Sequence, residues 1–150
     1  MDKECKRQID ELNKLWHVML TESKYNEIEK KYEDLQELST TEISVIRIIS
    51  EKEDVIIKDI VDTLGLPKST LTSIIDRLEK RNFIVRAISD RDRRSYKLEL
   101  TQKGRKVQDE HMKFEDEVYG TIILALDTFE EREELLKLIR KISINISKNR

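Results

Sequence analysis

IKDIVDTLGLPKSTLTSIIDRLEKR, residues 57–81, runs almost directly into FIVRAISDRDRRSYKLELT, residues 83–101, and the reading of this stretch decides the fold. Ile57 to Leu64 forms a short helix closed by Gly65, which reaches the left-handed region without a Cβ clash. Pro67 suits a first helical turn, where its missing N–H costs no hydrogen bond. Beyond it, Leu71, Ile74, Ile75 and Leu78 recur at helical spacing and mark the inward stripe. Lys68, Ser69, Thr70, Thr72, Ser73 and Arg77 then fall on the opposite side or its flanks, and the short hydroxyl side chains let that helix approach base edges closely. Asn82 stands just past the helix end, where Asn is the next best residue after Gly. Tyr96, Leu98 and Leu100 alternate with polar neighbours as a half-buried strand does, and they pair with Ile84–Ile88 across the turn from Ser89 to Arg94. Only this segment reads as sheet. A helix-turn-helix followed by an arginine-tipped hairpin is how a winged helix presents a helix to a major groove and a basic loop to the adjacent minor groove.

The charge distribution supports that reading. Over the whole chain the formal charge is −2, which by itself disfavours a nucleic-acid partner. Residues 64–106, however, carry twelve Lys or Arg against five Asp or Glu, while the rest of the chain has 17 against 26. The positive field is concentrated on the motif, and the acidic remainder discourages non-specific wrapping. Charged residues make up 40% and aromatics 5%, a balance suited to solvated helices rather than a deep catalytic cleft. No Gly-rich phosphate loop, nucleophile with its base and acid, or metal-ligand spacing is present, so no catalytic residue, cofactor or metal site is expected. One cysteine, Cys5, excludes an internal disulfide. That lone cysteine makes a reducing cytoplasm the expected compartment, and the absence of any run of about 18 apolar residues points away from a membrane span.

Outside the motif the chain reads as long helices. Ile9, Leu12, Trp16, Met19 and Leu20 make an amphipathic opening helix. Ser39 with Glu42 forms a capping box for a helix through Ile49, with Leu38 placed to pack on Ile43. Val45, Ile46 and Ile48 broaden its apolar face and leave Arg47 and Glu51 outward. Thr101 caps a helix running to about Leu126, and Thr128 with Glu131 caps a last one carrying Leu135, Leu138, Ile139, Ile142 and Ile146. A small DNA-reading unit cannot bury these terminal stripes, so a homodimer is expected, its symmetry matching palindromic half-sites. The fold class is therefore mainly α: residues 1–36 form an N-terminal dimerisation helix and linker, 37–101 a winged helix-turn-helix domain with a two-stranded wing, and 102–150 C-terminal dimerisation helices.

LGLPKSTLTSIIDRLEKRNFIVR followed by DRDRRSYKLELTQKG, flanked by long terminal helices, resembles the MarR family of bacterial transcriptional regulators over nearly the full chain. The wing tip Asp-x-Arg and the later Leu-Thr-x-x-Gly make the resemblance specific. It implies a homodimer that binds pseudo-palindromic double-stranded DNA, usually as a repressor, and is released by a small phenolic or anionic effector, by oxidation, or in some members by zinc. Position by position, it implies that Arg94 enters the minor groove while Asp92 braces the wing through a nearby arginine, for which Arg77 is a candidate. Arg91 and Arg93 would add phosphate contacts, and Ser69, Thr70, Thr72 and Ser73 would read bases. Many members place an arginine near the position of Ser73, so fewer bidentate guanine contacts are implied here.

Several side chains admit a second reading. Cys5 suggests peroxide sensing, but residues 39–50 lack the tyrosines that would support a reactive thiolate. His17 and His111 sit on separate helices and suit surface or core-edge positions better than zinc. Trp16, His17 and Arg47 are candidates for lining an effector pocket where the opening helix, the Ser39 helix and the Thr101 helix meet the DNA module, although Trp16, Tyr25 and Tyr119 also suit dimer packing. A winged helix serving as a protein-interaction scaffold, without sequence-specific DNA binding, remains the alternative function.

Overall fold

The computed structural model describes residues 2–23 and 25–148. Its elements in order are α1 (Lys3–Glu22), α2 (Tyr25–Lys31), α3 (Glu33–Gln36), α4 (Thr40–Glu51), β1 (Val55–Ile56), α5 (Ile57–Leu64), α6 (Lys68–Lys80), β2 (Ile84–Ile88), β3 (Tyr96–Leu100), α7 (Gln102–Ile123) and α8 (Phe129–Lys148). They gather into two compact units, one of residues 29–114 and the other of residues 1–28 with 115–150.

The unit of residues 29–114 has a continuous apolar core. Val45 and Ile46 of α4, Ile60 of α5, Leu71, Ile75 and Leu78 of α6, and Phe83 and Ile84 are all fully buried within it. The start of α4 is fixed by the expected capping box: the Ser39 N–H donates to Glu42 Oε2 (2.9 Å) and the Glu42 N–H donates to Ser39 Oγ (3.2 Å). The turn between α5 and α6 depends on Gly65 at φ 65°, and the exit from α6 on Asn82 at φ 62°. Both are left-handed positions that other side chains resist.

The sheet has three strands rather than two. β3 is central, in the order β1-β3-β2, and all pairings are antiparallel. The hairpin pairs Ile84 opposite Leu100 through Ile88 opposite Tyr96, which adds Ser95 to the expected turn of Ser89 to Arg94. The expectation that only the hairpin is sheet is corrected by β1, where Val55 faces Leu98 and Ile56 faces Lys97. Two residues are too short to display a period of two, and their partners lie some forty positions away, so the local pattern carries no signal.

The Leu-Thr-x-x-Gly run joins the wing to α7. Leu100 is buried, and Thr101 Oγ accepts from the Gly104 N–H (3.1 Å) while donating to the Asn82 carbonyl (2.7 Å). The Thr101 N–H donates to the Phe83 carbonyl (3.1 Å). One residue thereby caps a helix and ties it to the turn that follows α6.

In the other unit, α1 is capped by Asp2, whose Oδ1 accepts from Glu4 N–H (2.6 Å) and Cys5 N–H (3.0 Å), so the helix begins well before Ile9. α7 ends at Ile123, slightly short of the expected Leu126. Thr128 and Glu131 form the second capping box, with the Thr128 N–H to Glu131 Oε2 at 3.0 Å and the Glu131 N–H to Thr128 Oγ at 3.2 Å. Neither α1 nor α8 contains a buried residue; Leu12, Trp16, Leu138, Ile142 and Ile146 are among their exposed apolar side chains. A chain rarely leaves so much contiguous apolar surface in water. Among the described residues, no helix is long and apolar enough to cross a membrane.

Candidate nucleic-acid interface

Burying Leu71, Ile74, Ile75 and Leu78 turns the opposite face of α6 outward. Lys68, Ser69, Thr70, Ser73 and Arg77 are exposed and Thr72 is half-buried. Thr72 Oγ donates to the Lys68 carbonyl (2.8 Å) and Ser73 Oγ to the Ser69 carbonyl (3.2 Å). Both hydroxyls thus point their protons inward along the helix and leave acceptor lone pairs outward.

The wing loop, residues 89–95, is built around two short side chains. Ser89 is fully buried; its Oγ donates to Asp54 Oδ1 (2.7 Å) and accepts from the Asp92 N–H (3.0 Å). Asp92 in turn accepts from the Arg94 N–H (3.0 Å) and from Ser95 Oγ (2.8 Å). The Ser95 hydroxyl, followed by the Arg94 N–H, holds the Asp92 carboxyl below its usual range. Asp92 therefore organises its own turn. The expected partnership with Arg77 does not occur, because Arg77 Nε instead reaches Glu42 Oε1 at 3.4 Å. Asp92 has the short reach of an Asx turn, and the N–H two residues on and the hydroxyl three residues on satisfy its carboxylate locally.

The basic residues of the motif divide by their partners. Arg86 is held by Asp76 and Glu79 of α6, and Arg77 by Glu42. Arg91 donates to Asp59 Oδ2 (2.7 Å), while its N–H donates to Asp54 Oδ2 (2.8 Å). Among the described residues, Lys68, Arg93 and Arg94 have no ion-pair partner, and all three are exposed. Lys68 of α6 and Arg94, Ser95 and Tyr96 of the wing line one open groove of about 340 Å³, together with Ile57, Ile75, Arg86 and Leu98. The tertiary fold thus brings the start of α6 and the wing tip to one concave surface that carries unneutralised positive charge.

Four supporting residues escape the sequence reading. Glu42, only 5% exposed, is more than a cap. Burial pushes its carboxyl up, but the Ser39 N–H and hydroxyl and the Arg77 guanidinium outweigh that and hold it below the usual range. Asp54, at φ 50°, and Ser89 sit 35 positions apart in the chain, a pairing that no local spacing reveals. Asp59 did have a legible signal, as the acidic third residue of α5, where it accepts the Ile56 N–H at 2.9 Å.

The candidate effector residues lie in separate units. Trp16 and His17 are on α1, where Trp16 is 55% exposed, and Arg47 on α4 is paired with Glu51. His111 stacks on Phe114 with centroids 6.5 Å apart. Among the described residues, no group of three or more His, Cys, Asp or Glu side chains is gathered as a metal site would require.

A helix whose polar face is turned outward, followed by a sheet-anchored basic wing, defines a winged helix-turn-helix protein. Residues 38–96 match the model of the MarR family. The HTH-type transcriptional regulator SarZ of Staphylococcus epidermidis is 29% identical over 126 residues, covering 82% of this chain and 81% of its own length. Streptococcus pneumoniae FabT, solved in complex with DNA, superposes with a TM-score of 0.75 at 23% identity, covering 97% of this chain and 99% of that one. A mutant of S. aureus MepR bound to an oligodeoxyribonucleotide gives a TM-score of 0.59 at 20% identity, over 89% of this chain and 96% of the other. At these identities the two structures establish the fold alone. The winged helix-turn-helix of this chain thus matches the MarR family model, and the SarZ protein it resembles over most of its length is a transcriptional regulator.

Proposed function

We propose that this protein is a sequence-specific DNA-binding repressor that grips a pseudo-palindromic operator as a homodimer, with α6 in the major groove and the wing in the flanking minor groove. The single observation that carries the reading is the groove shared by Lys68 and Arg94. Two cations from different elements flank one concave path, with no carboxylate partner for either side chain among the described residues, an arrangement that is electrostatically unfavourable unless an anion lies between them. Ser69, Thr70, Thr72, Ser73 and Arg77 supply the base-facing surface, Arg93 and Arg94 the tip contacts, and Asp92 sets the turn that presents them. Complexes of FabT and MepR with DNA support the same mode of action here.

Dimerisation is supported by the exposed apolar stripes of α1 and α8. Release by a small phenolic or anionic effector completes the proposal: a ligand that favours a dimer whose helix spacing mismatches the operator lowers affinity by its differential binding.

The test is to enrich a duplex from a random-sequence pool with the full-length protein and titrate its affinity against salt. A footprinted, two-fold-related site with a steep inverse salt dependence supports the reading. Failure to enrich any sequence, or an affinity indifferent to salt, refutes it and favours the protein-interaction role. Repeating the titration with a panel of aromatic acids tests release.

A further inference from the structure

We propose that Arg91 is not a phosphate ligand but a fastener: with Asp59 and Asp54 it clamps the root of the wing to α5 and to the loop before β1, and so sets where Arg93 and Arg94 project. This rests on the DNA-binding reading above and assigns a positioning role within it.

The clamp has two arms. The Arg91 guanidinium donates to Asp59 Oδ2 at 2.7 Å, and that same oxygen already accepts the Ile56 N–H at 2.9 Å. The other arm is Asp54, which takes the Arg91 N–H on Oδ2 (2.8 Å) and the Ser89 hydroxyl on Oδ1 (2.7 Å). Ser89 then accepts the Asp92 N–H, so the chain of bonds leads from the scaffold into the Asp92 turn beside Arg94. Asp59 is itself held in place as the cap of α5, and Asp54 adopts a left-handed backbone that Asp tolerates better than most residues. A hairpin loop of seven residues without such ties samples many orientations. Fixing it before binding reduces the ordering cost that a DNA complex must otherwise meet. Both carboxylates stay ionised at neutral pH. Asp54 is lowered first by the Ser89 hydroxyl, and Asp59 is raised by burial but lowered further by the Ile56 N–H and Arg91.

Two mechanisms make opposite predictions. If Arg91 contacts phosphate, Arg91→Ala weakens binding and lowers the salt slope by about one. Asp59→Asn then strengthens binding, because it frees a cation and removes a negative charge near the duplex. If Arg91 is a fastener, each single variant weakens binding, by about fivefold on the scale of a partly exposed ion pair. The double variant is no worse than either single one, and the salt slope equals that of the wild type throughout.

The experiment is anisotropy of the full-length protein on the duplex enriched by the wild type, at several salt concentrations, for Arg91→Ala, Asp59→Asn and the double variant. Arg91→Ala leaves the α5 cap intact, so it keeps the test informative if Asp59→Asn folds poorly. Hydrogen exchange of the free protein supplies a second readout: amides of residues 89–95 exchange faster in both single variants while α6 is unchanged. A reduced salt slope, tighter binding by Asp59→Asn, or unaltered affinity in both single variants overturns the proposal. Absence of any wild-type binding instead refutes the DNA-binding reading on which it stands.

Discussion

Gly104, near the start of α7, faces the carbonyl oxygen of Phe83 so closely that a Cβ at Gly104 would lie 2.1 Å from it. That oxygen already accepts the Thr101 N–H, and Phe83 is fully buried, so the carbonyl has little freedom to retreat. Alanine is favoured over glycine in a helix by about 1 kcal/mol. Here the steric term wins. Gly104→Ala is expected to destabilise the protein by about 2 kcal/mol, typical of overpacking, and thermal unfolding should show a Tm lowered by several degrees. An unchanged or higher Tm would show that α7 can shift away freely.

Glu42 connects stability to pH. Its folded carboxyl is held below its ordinary range, so its contribution is fully present above the unfolded value and is lost as pH falls through the folded one. Glu42→Gln keeps an oxygen for the Ser39 N–H but removes the charge opposite Arg77. Urea denaturation at neutral pH should find the variant less stable by about 1 kcal/mol. The difference should shrink as pH drops below the usual carboxylate range. A gap that is constant with pH would remove the ion pair from the account.

Arg94 has no ion-pair partner among the described residues and lines the groove with Lys68. Arg94→Ala should therefore leave Tm unchanged, weaken DNA binding several-fold, and reduce the salt slope by about one. Binding that matches the wild type at physiological salt would take Arg94 out of the interface.

The stripe of α8 gives a separate test of assembly. Ile142 is more than half exposed in a helix with no buried residue. The wild type should sediment as a dimer, and Ile142→Lys should shift it toward monomer, because a charge in an apolar interface goes unpaired. Operator affinity should fall with it, since two linked half-sites bind more tightly than one. A wild type that sediments as a monomer at micromolar concentration would contradict the dimer.

What the sequence determined by itself is what depends on neighbours along the chain. Helical spacing in Leu71, Ile74, Ile75 and Leu78 decided which face of α6 turns outward; Gly65 and Asn82 marked the left-handed turns, and the Ser39 and Thr128 capping boxes marked helix starts. Alternation placed the hairpin. Only the tertiary structure decided which arginines are free. Arg77, Arg86 and Arg91 look equivalent to Arg93 and Arg94 in a string of letters, yet the guanidinium groups of the first three meet Glu42, Asp76 with Glu79, and Asp59, while those of the last two have no carboxylate partner among the described residues. β1 and the bond between Asp54 and Ser89 were hidden for the same reason. Periodicity reports how one element faces its core, whereas a salt bridge or a two-residue strand depends on where distant segments of the chain come to rest.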